Sequence, residues 1–408
     1  MDVLRTLNER GLVYQLTDEE EMRSRLSDTR ISFYVGFDAT AESLHLGHLV
    51  PLMAASWLQR AGHTPLIVVG GATALIGDPS GRSSERALES RERIGAWAGS
   101  IGAQLLQFLD FGPGRAELLD NSSWLSGLDY ISFLRDIGRH FSVNRMLAAE
   151  SVKARLEKGL SFLEFNYMLL QAYDFLWLYR NRGCTMQIGG ADQWGNILAG
   201  MDLIRRVEGA DAFGMTCPLV TTSTGEKMSK SMPGGAIWLD PTLTTPFDYY
   251  QFWMNVDDRD AIYFLKLYTF MPTAEIETLS SLSGSDLRTV KRRLAFEATA
   301  IAHGREEAVR AESASMALFG GGGDDSSVPT TILPASSLAS GLTWLDLFVC
   351  TGLCPSRSEV RRLAGQNGLY SWGVRVENPE TPVRESDLRD GAILLRTGKK
   401  RYHRVVFE

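Results

Sequence analysis

The 408-residue sequence is poor in cysteine, in long apolar runs and in net positive charge. Four cysteines scattered over so long a chain exclude a disulfide-stapled scaffold. Cys350 and Cys354 lie four apart, but no second pair accompanies them to complete a zinc motif. This usage fits a chain kept in a reducing cytoplasm. Arg, Asp or Lys breaks every apolar stretch before it reaches membrane-spanning length. The opening residues MDVLRTLNER are charged where a signal peptide would be apolar, so neither a span nor a signal peptide is expected. With 42 Lys and Arg against 49 Asp and Glu, net −7, the whole chain is not a polybasic nucleic-acid binder. The sign reverses locally: from Pro355 to Glu408 eleven Lys and Arg face seven Asp and Glu. Internal repeats are also lacking. What remains is ordinary for a globular protein of two or three domains, with 44% hydrophobic and 22% charged residues.

The most informative stretch is Ser32 to Val50, SFYVGFDATAESLHLGHLV. Phe33, Val35 and Phe37 alternate with Tyr34, Gly36 and Asp38, which predicts a strand with one apolar and one functional face. The apolar run from Leu46 to Trp57 then has helical length. A strand feeding a helix N-terminus offers free backbone N–H groups and a helix dipole to an anion. His45 and His48 sit on that first turn, with Gly47 between them allowing close approach. Two solvated histidines, a metal site or a phosphate site would each account for the pair. A metal lacks a third ligand at a suitable spacing. The phosphate reading gains support from the rest of the chain.

Around this stretch, strands and helices alternate. A helix ends near Gly11, and a second starts at Thr17, where Thr17 and Glu20 form a capping-box pattern. PLIVV, Pro65 to Val69, predicts a buried parallel strand leaving into GGATALIGDPSGR. A helix from about Glu85 to Leu109, a strand at Glu117 to Asp120, and amphipathic segments at 128–141 and 150–158 follow. Ser161 with Glu164 caps a long helix running to about Arg182. Thr185 to Ile188 is a strand leaving into GGADQWGNILAGMDLIRRV, and Pro218 to Thr222 a last strand. The fold class expected is α/β: a Rossmann-like parallel-sheet catalytic domain over 1–222, with ligands at the strand C-termini. A mainly helical segment, 223–319, comes next. Residues 320–341, opening on four consecutive glycines, read as a flexible linker. Residues 342–408 form a small α+β pattern.

HLGH at 45–48 resembles the "HIGH" signature of class I aminoacyl-tRNA synthetases, and Lys227-Met228-Ser229-Lys230-Ser231 is the companion "KMSKS" signature. YVGFDATAESLHLGH, GDPSGR, NYMLLQAYDFL and QIGGADQWGN are similar to blocks of bacterial tyrosyl-tRNA synthetases, and the tail resembles the S4-type RNA-binding module. The resemblance covers essentially the whole chain. It implies activation of L-tyrosine by ATP with Mg2+, transfer to tRNA(Tyr), a homodimer, and no protein-ligated metal. Thr40, His45, Lys227, Lys230, Arg82 and Arg86 would stabilise charge on the phosphates, and His48, with them in the catalytic set, would lie near the ribose. Gly36, Asp38, Gly47, Gly190 and Asp192 would adjoin the nucleotide. Tyr167, Gln171 and Asp174, spaced by four and three, share one helix face. The resemblance gives Tyr167, Gln171 and Asp78 to the substrate amino group, Tyr34 and Asp174 to its phenol, and Gln187 and Gln193 to secondary contacts. Arg357, Arg361, Arg362, Lys399 and Lys400, with Arg396, Arg401 and the aromatics Tyr370, Trp372 and Tyr402, would meet tRNA. His140, Asn144, Arg145, Lys153 and Arg155 would meet its acceptor arm, with Trp194 near the acceptor end or in the core. Two positions depart from the family pattern: Val35, where a cysteine often contacts ribose, and Pro51, which removes an N–H early in the signature helix. Trp372 also stands where the S4 pattern usually has Asn before Gly. A tryptophanyl-tRNA synthetase and a catalytically dead RNA-binding paralogue are the rival readings.

Overall fold

The computed structural model describes residues 2–80, 88–156, 159–223, 236–320, 328–398 and 401–408. The chain forms two compact units, Met1–Leu243 with Asp257–Gly284, and Thr244–Val256 with Ser285–Glu408.

The first unit is built on a six-stranded sheet of order β1-β6-β5-β2-β3-β4. Its strands are β1 Gln15–Leu16, β2 Ser32–Asp38, β3 Thr64–Gly70, β4 Glu117–Asp120, β5 Cys184–Gly190 and β6 Phe213–Cys217. All pairings are parallel except that of β1 with β6. From β2 the chain proceeds outward to β3 and β4, then returns to β5 on the other flank. The order therefore reverses between β2 and β5, and an open α/β sheet binds ligands at such a point, beyond the strand C-termini. Tyr34 pairs in register with Gln187, and Val35 with Ile188, across that boundary.

The helix Phe162–Arg182 follows the Ser161–Glu164 capping box expected from the sequence. It buries Ala172, Phe175, Leu176 and Leu178 in one cluster with Tyr34, Leu66 and Val68. Burial of one such large side chain stabilises by about 1.5–3 kcal/mol, so the stripe fixes the rotation of the helix that carries Asp174. Its partner helix, Trp194–Glu208, approaches closely at Gly200, where an added Cβ would stand 2.9 Å from Phe175 Cδ1.

Several boundaries differ from the expectation. The second helix, Glu19–Asp28, is capped by Asp18, which accepts from Glu21 N. Thr17 instead accepts from Gly214 N and so ties the chain to β6. The last strand is Phe213–Cys217 and not Pro218 to Thr222, because FGMTC pairs with β5 before proline ends the ladder. The helix after β3 begins at Arg91 with Ser90 as cap, and ends at Leu105. Helices Ala261–Tyr268 and Thr273–Ser280 belong to the first unit. Buried Arg10 holds them by donating to the carbonyls of Lys266, Thr269 and Met271 while stacking on Trp57.

The second unit contains helices Pro246–Met254, Leu287–His303 and Arg305–Gly320, and a five-stranded sheet of order β7-β11-β10-β8-β9. These strands are β7 Thr330–Leu333, β8 Leu369–Ser371, β9 Val374–Arg375, β10 Ala392–Thr397 and β11 Arg401–Phe407. Within the expected linker, Thr330–Leu333 is thus a strand, pairing parallel with β11. Its β-branched residues suit a sheet better than a coil. The turn between β8 and β9 is kept although Trp372 stands where Asn before Gly is usual. Trp372 takes a φ of 49° and Gly373 of 79°. That left-handed Trp costs roughly 1–2 kcal/mol, offset by its packing against Phe247, Val328 and Leu394.

Candidate active site

A cavity of about 950 Å³ opens at the reversal point between β2 and β5. Tyr34, Gly36 and Asp38 reach it from β2, Gln187, Gly189 and Gly190 from β5, and Tyr167, Gln171 and Asp174 from one face of the helix Phe162–Arg182. Thr40, His45, Gly47 and His48 line it from the turn and the first residues of the helix Leu46–Arg60. Val35 and Pro51 line it too.

Asp174 is fully buried. Its carboxylate accepts from Trp124 Nε1 at 2.7 Å and Asn121 Nδ2 at 3.0 Å. Burial pushes its pKa up to about 7; the Asn121 and Trp124 bonds pull against that, and the nearby charges of Asp38 and Asp120 add to it. Asn121 Nδ2 also donates to Thr73 Oγ1 at 2.9 Å, and Thr73 Oγ1 donates to Asp38 Oδ1 at 2.7 Å. Tyr167 Oη donates to Asp38 Oδ2 at 2.7 Å. One chain of hydrogen bonds therefore runs from Asp174 to Asp38 and Tyr167. Burial raises the Tyr34 and Tyr167 phenols well above their ordinary value, so both remain protonated donors. Tyr34 also explains Gly36: an added Cβ there would stand 2.8 Å from Tyr34 Oη.

A second network joins the amide side chains. Asn196 Nδ2 donates to Gln171 Oε1 and Gln193 Oε1, each at 3.1 Å. Gln193 Nε2 donates to Asp78 Oδ2 at 2.6 Å and Asp192 Oδ2 at 3.1 Å. Gln187 Oε1 is buried without a hydrogen-bond partner among the described residues, an acceptor aligned beside Tyr34 in the sheet. A buried acceptor left in that state marks a position that a polar ligand would satisfy.

At the helix start, His45 is the N-cap. Its Nδ1 accepts from Gly47 N at 3.0 Å, and His48 Nδ1 accepts from His45 N at 3.2 Å. The two rings stack at 3.8 Å with 18° between planes. An Nδ1 that accepts carries no proton, so each neutral ring holds its N–H at Nε2. A neutral donor pair at a helix N-terminus suits phosphate oxygens.

A sequence profile of the class I tRNA synthetases (W and Y) matches residues 26–320. The tyrosine–tRNA ligase of Caldanaerobacter subterraneus subsp. tengcongensis is 50% identical over 406 residues, covering 100% of this chain and 99% of that one. That of Acetivibrio thermocellus is 49% identical over 403 residues, 99% and 98% of the two chains. The chain belongs to the tyrosine–tRNA ligase family. It is accordingly an aminoacyl-tRNA synthetase. A C-terminally truncated mitochondrial tyrosyl-tRNA synthetase of Aspergillus nidulans has a TM-score of 0.70 and 31% identity, covering 78% of this chain and 94% of that chain.

For this synthetase the structure brings to this cavity the candidates for the tyrosine and nucleotide contacts on β2, the turn after it, the helix Phe162–Arg182 and β5 with its exit, Asp78, Asp192 and Gln193 included. Arg82, Arg86, Lys227, Lys230, Lys399 and Lys400 lie outside the described residues. Arg357, Arg361 and Arg362 are exposed and paired with Asp346, Glu380 and Glu359. Such exposed pairs contribute only about 0–1 kcal/mol. Trp372 and Tyr402 pack partly buried against the Phe247 cluster, and Arg396 lies 3.8 Å over the Tyr370 ring. Arg155 is not available to RNA: it is buried in an ion pair with Glu164 at 2.8 Å, which ties the helix Glu150–Leu156 to the following one. Arg145 pairs with Asp202 on the surface. Sequence reasoning missed Thr73, Asn121, Trp124, Ser80 and Asn196. Asn121 was findable, since it directly follows a strand C-terminus; Trp124 carries no local signal.

Proposed function

We propose that this cavity holds L-tyrosine and ATP side by side, and that the enzyme ligates tyrosine to tRNA(Tyr) in two steps. In the first, the tyrosine carboxylate attacks the ATP α-phosphorus and pyrophosphate leaves. In the second, the terminal ribose hydroxyl of the tRNA attacks the activated carbonyl and AMP leaves. Neither step needs an enzyme nucleophile; both need positioning and stabilisation of phosphate charge.

The observation that carries this reading is Asp174, a buried carboxylate held by Trp124 and Asn121 in a cavity it shares with Tyr34. The substrate phenol donates to Asp174 and accepts from Tyr34. Its ammonium is met by Tyr167, Gln171 and Asp78, with Gln187 and Gln193 as further contacts. A pocket built for a hydroxyl leaves buried groups unpaired when phenylalanine enters. Discrimination of about 10⁴–10⁵ is characteristic of tyrosyl-tRNA synthetases, a family figure and not one worked from this structure.

Ten residues separate Tyr34 from His45, the first four of them in β2, which rises about 3.3 Å per residue, so the phosphates lie toward the strand C-termini. There Thr40 and His45 donate to the departing phosphates, and His48 and Asp192 adjoin the ribose. Gly36, Asp38, Gly47 and Gly190 flank the nucleotide, and Lys227, Lys230, Arg82 and Arg86 supply positive charge. Among the described residues no cluster of three His, Cys, Asp or Glu could hold a metal. Mg2+ enters with ATP, bound through phosphate oxygens and water, as is usual for this ion.

Arg357, Arg361, Arg362, Lys399 and Lys400 of an S4-like region contact tRNA phosphates. Exposed Tyr130, Ile131, Val143 and Phe162 support a homodimer, with a second copy covering them. Four free cysteines support a reducing, cytoplasmic setting. No helix among the described residues is long and apolar enough to cross a membrane. ATP–pyrophosphate exchange with each of the twenty amino acids tests the reading. Stimulation by tyrosine is expected, and exchange that ignores tyrosine would overturn it.

A further inference from the structure

The turn that delivers Thr40 and His45 is held from behind by a buried polar cluster that does not line the cavity. Gln104, on the helix Arg91–Leu105, accepts the Leu44 backbone N–H through Oε1 at 3.0 Å. Ser43 Oγ lies 3.2 Å from the same oxygen, and accepts the Asp240 backbone N–H at 3.1 Å. Two backbone bonds flank His45. Leu239 N donates to the Leu44 carbonyl at 2.8 Å, and Leu46 N to the Ile237 carbonyl at 3.1 Å. They pair His45 with Trp238, whose ring lies 6.1 Å from the imidazole. Ser43, Leu44, Gln104, Ile237 and Leu239 are all buried.

Glutamine is out of place on that face of its helix. The other large buried side chains there are Ile94, Ile101 and Leu105, so a residue chosen only to fill the core would be apolar. A buried glutamine that accepts a backbone N–H instead fixes the path of the chain it binds. That chain ends, one residue on, at the His45 cap whose Nδ1 already accepts from Gly47.

We propose that Gln104 is a positioning residue for tyrosine activation. By fixing the backbone of Ser43 and Leu44, it sets where the Nε2–H of His45 meets the departing phosphates. The inference rests on the reading of His45 as a phosphate donor. It extends that reading to a residue of another helix that touches neither substrate.

The test is a double-mutant cycle read by tyrosine-dependent ATP–pyrophosphate exchange. Misplacing a catalytic group by about 1 Å can lower a rate about a hundredfold. Gln104→Leu is therefore expected to lower kcat about ten- to a hundredfold, with the KM for tyrosine changed by no more than about twofold. Gln104→Glu, which keeps the acceptor oxygen, is expected to recover most of the loss. In a His45→Ala background, Gln104→Leu is expected to do little more, because the group it positions is gone. Full additivity with His45→Ala, or a rise in the tyrosine KM that accounts for the whole loss, overturns the proposal and leaves the site reading standing. If His45→Ala itself leaves kcat unchanged, the site reading fails and the proposal falls with it. Should Gln104→Leu not fold, Ser43→Ala removes the hydroxyl alone and is held to the same pattern of kcat, KM and non-additivity.

Discussion

Replacing Asp174 by Asn removes a titrating group from the floor of the cavity, and the effect on stability is calculable. Burial raises the folded-state pKa of Asp174 from 3.8 to about 7. Between those values the folded chain keeps the proton that the unfolded chain has lost. Stability from this group therefore falls as pH rises through the window, and is constant above it. A shift of about three units, at about 1.4 kcal/mol each, is worth about 4 kcal/mol. Asn cannot titrate. The stability of the wild type relative to Asp174→Asn should thus decline by roughly 4 kcal/mol from pH 4 to pH 8, with carboxylates remote from Asp174 cancelling in the difference. Urea unfolding of both proteins at half-unit pH steps measures it, read from midpoints at matched slopes. A difference that stays flat within about 0.5 kcal/mol over that range would refute the reasoning. Asp174 would then titrate normally, and its burial would carry no electrostatic consequence.

Three further outcomes follow from the geometry. Trp124→Phe deletes the 2.7 Å bond to Asp174, and hydrogen bonds to charged groups are worth about 1.5–3 kcal/mol. The tyrosine KM in exchange assays should rise at least about tenfold at pH 8, where Asp174 is ionised, and less at pH 6. Gly200→Ala places a Cβ 2.9 Å from Phe175 Cδ1; overpacking of this kind costs about 1–3 kcal/mol, visible as a lowered Tm. Arg361→Glu should weaken tRNA binding and flatten its salt dependence while leaving ATP–pyrophosphate exchange unchanged.

The helix that carries Tyr167, Gln171 and Asp174 is legible in sequence because both of its determinants are local. Ser161 and Glu164 mark its start, and the four-and-three spacing of the polar residues marks a face. The strand Ser32–Asp38 is legible for the same reason, since its alternation needs no partner. Glu117–Asp120 was expected and is found with the same bounds. What cannot be read locally is which side chains meet across the fold. Trp124 reaches Asp174 from fifty residues away, and Gln104 reaches Leu44 from sixty. Thr17 is misleading because its hydroxyl looks like a cap, yet it is taken by Gly214 of a neighbouring strand while Asp18 does the capping. Arg155 looks like a surface cation, and only the fold reveals that Glu164, already used in the capping box, also takes its charge. Tertiary partners override local preference in each case.

The most direct measurement compares tyrosine with phenylalanine in ATP–pyrophosphate exchange, for the wild type and for Tyr34→Phe. A hydroxyl that donates only to the substrate phenol is worth about 0.5–1.5 kcal/mol, and its loss should lower kcat/KM for tyrosine by about two- to thirteenfold. Activation of phenylalanine, which offers no oxygen to that hydroxyl, should hold steady or improve. Equal losses with both amino acids, or no change with either, would contradict recognition of the phenol through its oxygen.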